Sequence, residues 1–63
     1  MNESIFISST VAPIYKKASF TSEMVTQGLM WERLELLNKL DAWCKIKMID
    51  GYVGWIHEFY LDD

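Results

Sequence analysis

The stretch Asp50-Gly51-Tyr52-Val53-Gly54-Trp55 limits the possible folds more than any other in the chain. Asp-Gly is a tight-turn dipeptide that supplies positive φ at the tip of a β-hairpin. Gly54 stands between two large apolar residues, where a missing Cβ marks a bulge or a close backbone approach. Trp55-Ile56 resumes an apolar strand, and Trp43 to Met48 reads as its partner. That partner alternates. Cys44, Ile46 and Met48 share one face, and Trp43, Lys45 and Lys47 share the other. The first is a core face. The second is solvated, with Trp43 over the lysine stems or over a groove.

What packs on this hairpin must come from one small domain, residues 1–63. Half the residues are hydrophobic, so an apolar core is affordable without staples. The single cysteine, Cys44, excludes an intrachain disulfide and a cysteine-based zinc site. A net charge of −3 opposes nucleic-acid binding, which needs Lys and Arg against phosphates. No run approaches the ~20 apolar residues of a membrane span. Met1-Asn2-Glu3-Ser4 lacks a basic leader, so the sequence as written is expected in the cytoplasm, or at the cell wall if joined to a secreted enzyme. No histidine pair, calcium loop or glycine-rich phosphate loop is present, so neither metal nor cofactor is expected.

Along the chain, Ile5 to Ala12 reads as a first extended segment ended by Pro13, with Ile14-Tyr15 continuing as an edge. Lys16 to Glu23 is a polar loop. Its one aromatic, Phe20, either tucks the loop onto the core or is displayed to a ligand. Met24 to Gln27 is a short strand, with Gly28 as a bend. Met30, Leu34, Leu37 and Leu40 have helical spacing, and the stretch is rich in helix formers. Leu34 and Leu36 also alternate with Arg33 and Glu35. A strand over residues 33–37 is the expectation, with Asn38 to Asp41 as the turn. A helical turn at His57 to Phe59 and a last strand close the chain. The pattern predicts an all-β, SH3-like barrel of about five strands with a one-turn helix before the last.

At Ser22-Glu23-Met24-Val25-Thr26-Gln27, Glu32, Trp43, Lys45-Ile46 and Asp50 to Ile56, the chain resembles the bacterial SH3 family. It is most similar to the N-terminal SH3 domain of NlpC-type cell-wall peptidases, from about Val11 to Leu61. Those enzymes cut the γ-D-glutamyl to diamino-acid bond of wall peptides with a papain-like Cys-His-His domain, which has no counterpart in this sequence. The resemblance therefore implies a non-catalytic module that positions peptidoglycan peptide for an attached or partner hydrolase. It also implies that Tyr52, the tyrosine of the D-G-Y motif, contacts the free amino end of that peptide. Two positions depart from the family pattern. Lys17 stands where an acid precedes a proline, and a lysine repels a cationic amine. Trp31 stands where a glycine precedes the matched glutamate. Either Trp31 is strained or the bend moves to Gly28.

Cys44 and His57 invite a nucleophile–base reading, but Cys44 lies on the core face and no orienting group or oxyanion site is evident. Glu32, Glu35, Asp41 and Glu58 form no pattern. The aromatics are the functional signal. Trp55 reads as core and Tyr52 as surface. Tyr15, Trp43 and Tyr60 are expected to line a groove, with Tyr52 and Lys17 completing the candidate ligand site. The alternative is a protein-interaction domain that takes an extended peptide or packs on a catalytic domain. Oligomeric state is left open.

Overall fold

A computed structural model describes residues 3–62. Met1 and Asn2, half of the segment read for a leader, and Asp63 lie outside the described residues. The strands are β1 (Glu3–Ile7), β2 (Val11–Tyr15), β3 (Met24–Leu29), β4 (Arg33–Leu40), β5 (Trp43–Lys47), β6 (Val53–His57) and β7 (Leu61–Asp62). A one-turn helix, Glu58–Tyr60, precedes β7. The strands form one antiparallel sheet in the order β3-β2-β6-β5-β4-β1-β7. The all-β, SH3-like expectation holds, including the one-turn helix and final strand.

Period-two alternation builds the interior. Ile5 and Ile7 on β1, Ala12 and Ile14 on β2, Leu34 on β4, Cys44 and Ile46 on β5, and Ile56 on β6 are buried together with Met48. Two glycines let the sheet curl around this core. A Cβ on Gly54 would stand 2.6 Å from Ile14 Cγ2 and 2.9 Å from the Tyr15 carbonyl oxygen. Only a bare backbone allows β2 to lie so close to β6, and Tyr15↔Trp55 is the register pair that joins them. A Cβ on Gly28 would collide with Ile7 Cδ1, so the Ile7 side chain of β1 reaches the backbone of β3.

The central hairpin forms as expected. Gly51 N–H donates to Met48 O at 2.9 Å, and Met48 N–H to Tyr52 O at 2.7 Å. Gly51 alone in this turn has positive φ, 98°. This is the longer hairpin loop, a turn followed by a left-handed glycine.

Several boundaries differ from expectation. The first extended segment is two strands broken at Ser9-Thr10, and Pro13 lies inside β2. Gly28 does not bend. It pairs with Ala12 inside β3, and the chain turns at Met30-Trp31. The strand expected over residues 33–37 continues to Leu40, and the turn is Asp41-Ala42 instead of residues 38–41. Asp41 meets that tight reversal with φ 54°. The helical turn begins one residue later than expected, at Glu58, because His57 still pairs with Trp43. Trp55 is not core. It alternates with buried Gly54 and Ile56, and lies half-buried on the outer face.

Trp31 takes the strained option. Its φ is 70°, and its side chain is 67% exposed. Backbone ties hold it there. Trp31 N–H donates to Ile7 O at 2.7 Å, Glu32 N–H to Leu29 O at 3.0 Å, and Leu29 N–H to Glu32 Oε1 at 3.1 Å.

Two stability outcomes follow from these backbone positions. Gly54→Ala is expected to cost ~1–3 kcal/mol in urea unfolding, because the Tyr15 carbonyl must move. A cost under 0.5 kcal/mol, roughly an ordinary surface change, would show that β2 and β6 separate freely. Trp31→Gly is expected to be neutral or to gain up to ~1 kcal/mol, since relief of the left-handed strain outweighs the entropy of glycine. A clear loss would mean that the indole packs on the barrel.

Candidate functional site

The outer face of β2, β6 and β5 carries the candidate site. The register sets Tyr15 beside Trp55 and Trp55 beside Lys45 in one row, and His57 beside Trp43 in the next. Tyr15 and Trp43 meet edge to face, with ring centroids 5.7 Å apart at 80°. His57 stands edge-on to Trp43 at 5.2 Å. Phe20, carried by the loop between β2 and β3, covers them. It lies 4.7 Å from Trp43, 5.1 Å from His57 at 34°, and 5.8 Å from Tyr15. Phe20 thus neither enters the core nor stands free. It rests on outer-face rings and is 55% exposed.

The shelf is fixed from below. The Phe59 N–H donates to His57 Nδ1 at 3.1 Å, which caps the one-turn helix and sets the imidazole plane. Glu58 N–H donates to Ala42 O at 2.8 Å and ties that helix to the β4–β5 turn. Lys39 and Glu58 form an exposed ion pair at 3.7 Å.

The five residues picked from sequence do not all come together. Tyr15 and Trp43 come together on the shelf. Tyr60 meets Phe59 edge to face at 5.2 Å and packs partly against the core. Tyr52 stands at the hairpin tip, 52% exposed. Lys17 is exposed in the polar loop, where its backbone N–H donates to Ser22 Oγ at 3.2 Å and its carbonyl accepts from Ser19 N–H at 2.7 Å. Phe20 and His57 were missed as members of the shelf. The signal for His57 was its cross-strand register with Trp43, which a correct β6 boundary reveals.

A family of known domains matches this chain over residues 14–59, described as the bacterial dipeptidyl-peptidase SH3 domain. The chain belongs to the bacterial SH3 family. The match spans β2 to the one-turn helix and so includes the whole shelf and the hairpin tip. No curated protein matches the chain. Bacterial SH3 domains are typically binding modules, and SH3-type domains generally bind proteins or peptides.

The geometry does not pair Cys44 with His57 for catalysis. Cys44 points into the core, and the His57 ring lies on the outer face against Trp43 and Phe20. Burial pushes the Cys44 thiol above its ordinary range. The Lys39 charge opposes that shift and the Glu58 charge adds to it. Among the described residues, no three His, Cys, Asp or Glu side chains cluster to hold a metal.

The thiol gives a pH prediction. Because the folded thiol ionises at higher pH than the unfolded one, its contribution to stability is full below the ordinary thiol pKa of ~8.5 and is lost as pH rises above it. Melting temperature should therefore fall on the alkaline side, and Cys44→Ala should flatten that slope. A thiol reagent should label the native protein far more slowly than the urea-unfolded one. Equal labelling rates would place the thiol at the surface.

Proposed function

We propose that this bacterial SH3 domain binds an extended cell-wall peptide on its outer aromatic face and positions it for an attached or partner NlpC-type hydrolase at the cell wall. The observation that carries this reading is the convergence of aromatic rings from three separate stretches on one solvent-facing shelf, within the part of the chain that matches the family. Aromatic side chains of this kind supply large contact area with little flexibility to lose. Tyr15 and Trp43 form the floor. Tyr52, exposed one strand-length away at the hairpin tip, reaches the amino end of the peptide. Catalysis belongs to the hydrolase.

The second reading is a protein-interaction domain that takes an extended segment of a partner protein. One observation favours it. Lys17 is exposed in the loop at the position where an acid would attract the amine of a wall peptide.

Titration with the wall tripeptide L-Ala-γ-D-Glu-diaminopimelate separates the two. Wild type should bind, and Trp43→Ala and Tyr52→Ala should each weaken binding by roughly tenfold, as for interface aromatics. Unchanged affinity in both variants would remove these residues from the site. No response to the tripeptide, together with a protein captured by the wild type and released by Trp43→Ala, would decide for the second reading.

A further inference from the structure

We propose that Phe20 is a resident occupant of the Tyr15–Trp43–His57 shelf, standing where an apolar group of the ligand would lie, so that a ligand must displace it. This rests on the reading of the shelf as the binding surface.

The ring occupies the position of a bound side chain. It makes contacts with three outer-face rings, two of them close and inclined to its own plane by 34° and 59°. Yet more than half of Phe20 remains open to solvent, unlike a residue that anchors a loop to a core. Clefts on the surface reach about 780 Å³ beside the one-turn helix and about 500 Å³ beside β4. The first borders the shelf at His57, and neither is lined by Tyr15, Phe20 or Trp43.

The loop is built so that the ring can leave. Its hydrogen bonds close on themselves. Ser22 Oγ joins both the N–H and the carbonyl of Lys17 at 3.2 Å, Ser22 N–H donates to Ser19 O at 3.2 Å, and the Ser19 and Thr21 hydroxyls meet at 2.8 Å. Lys16 N–H to Glu23 O at 2.8 Å closes the base. Among the described residues, no hydrogen bond links residues 17–22 to β5, β6 or the one-turn helix. The loop's ring contacts with the shelf all come from Phe20. The loop can swing away as a unit without losing a hydrogen bond.

The slot under Phe20 is bounded by the rings of Tyr15, Trp43 and His57. It therefore suits an apolar ring or the aliphatic stem of a long side chain. A shelf open for a tenth of the time shows about tenfold weaker apparent affinity than one always open.

The test compares wild type with Phe20→Ser by proton NMR, using N-acetyl-phenylalanine amide as the probe. Matching melting curves confirm the fold, and Phe20→Leu serves as an intermediate. The probe should shift the Trp43 indole and His57 ring signals of Phe20→Ser with at least about fivefold higher affinity than those of wild type. Equal shifts in both proteins, or none in Phe20→Ser, would overturn the proposal. The wall tripeptide, titrated against the same pair, separates the two ideas. If the probe distinguishes the proteins and the tripeptide binds neither, the occupant stands and the wall reading falls. If the probe shifts both proteins equally and the tripeptide binds both, the occupant falls and the wall reading stands.

Discussion

The close approach of β2 to β6 over Gly54 is the contact on which the rest of the structure depends. A backbone carbonyl, that of Tyr15, lies within 2.9 Å of the place a side chain would begin. Backbone cannot step aside as a flexible side chain can, so the contact demands glycine. It has two consequences. It joins the β2–β3 hairpin to the rest of the sheet through the Tyr15↔Trp55 pair. It also brings Tyr15 beside Trp43 and hangs the following loop, with Phe20, over both rings. One residue without a Cβ therefore both curls the sheet and assembles the shelf. Gly28 does the matching work on the other side, where Ile7 fills the space its Cβ would take.

Much of this was legible in the sequence because the informative residues act locally. Gly51 and Gly54 announced a turn and a close approach through their own chemistry, and both appear where expected. The Cys44-Ile46-Met48 alternation fixed the inner face of β5, and Trp43 fell on the outer face as a direct result. The stretch from Met30 to Leu40 was harder, for a physical reason. Its pairing with β5 shifts register between Leu36 and Asn38, so Leu37 is an extra residue that breaks the period of two. Leucines displaced by a bulge imitate a helical stripe. Met30, Leu37 and Leu40 are all exposed, so the stripe never becomes a packed face. Gly28 misled in the opposite sense. A glycine read as a bend proved to be a strand residue that needs room, and the true bend fell on Trp31, the residue least suited to it.

The site was only half legible. Period two placed Trp43 on an outer face, and Tyr15 was expected to line a groove with it, but no local signal says which outer faces are neighbours. That depends on which strands pair, and β2 meets β6 across a long stretch of sequence. Phe20 was harder still, because a ring in an irregular loop has no period to assign it a side. Tyr60 shows the same limit. The tight turn after β6 sends it toward Phe59 and the core, a direction set by the helix cap at His57 and not by its own residue type.

The aromatic content itself needs care as a functional signal. The nine residues of the buried core include no Phe, Tyr or Trp. A barrel with a radius of gyration of 10.1 Å has an interior filled by isoleucine, leucine, methionine and smaller side chains. Its inward positions also approach glycine-bare backbone too closely to seat a ring. Nine aromatic residues in such a chain must lie outside the core whatever their role. Exposure alone therefore distinguishes nothing. Contact between rings does. Among the described residues, Phe6, Trp31 and Tyr52 are exposed with no ring partner, whereas Tyr15, Phe20, Trp43 and His57 arrive from three different parts of the chain and touch. Barrel geometry explains why rings are pushed to the surface, but it does not explain why four of them should meet there. That convergence is what supports the proposed reading of the shelf as a binding surface, which exposure alone would not.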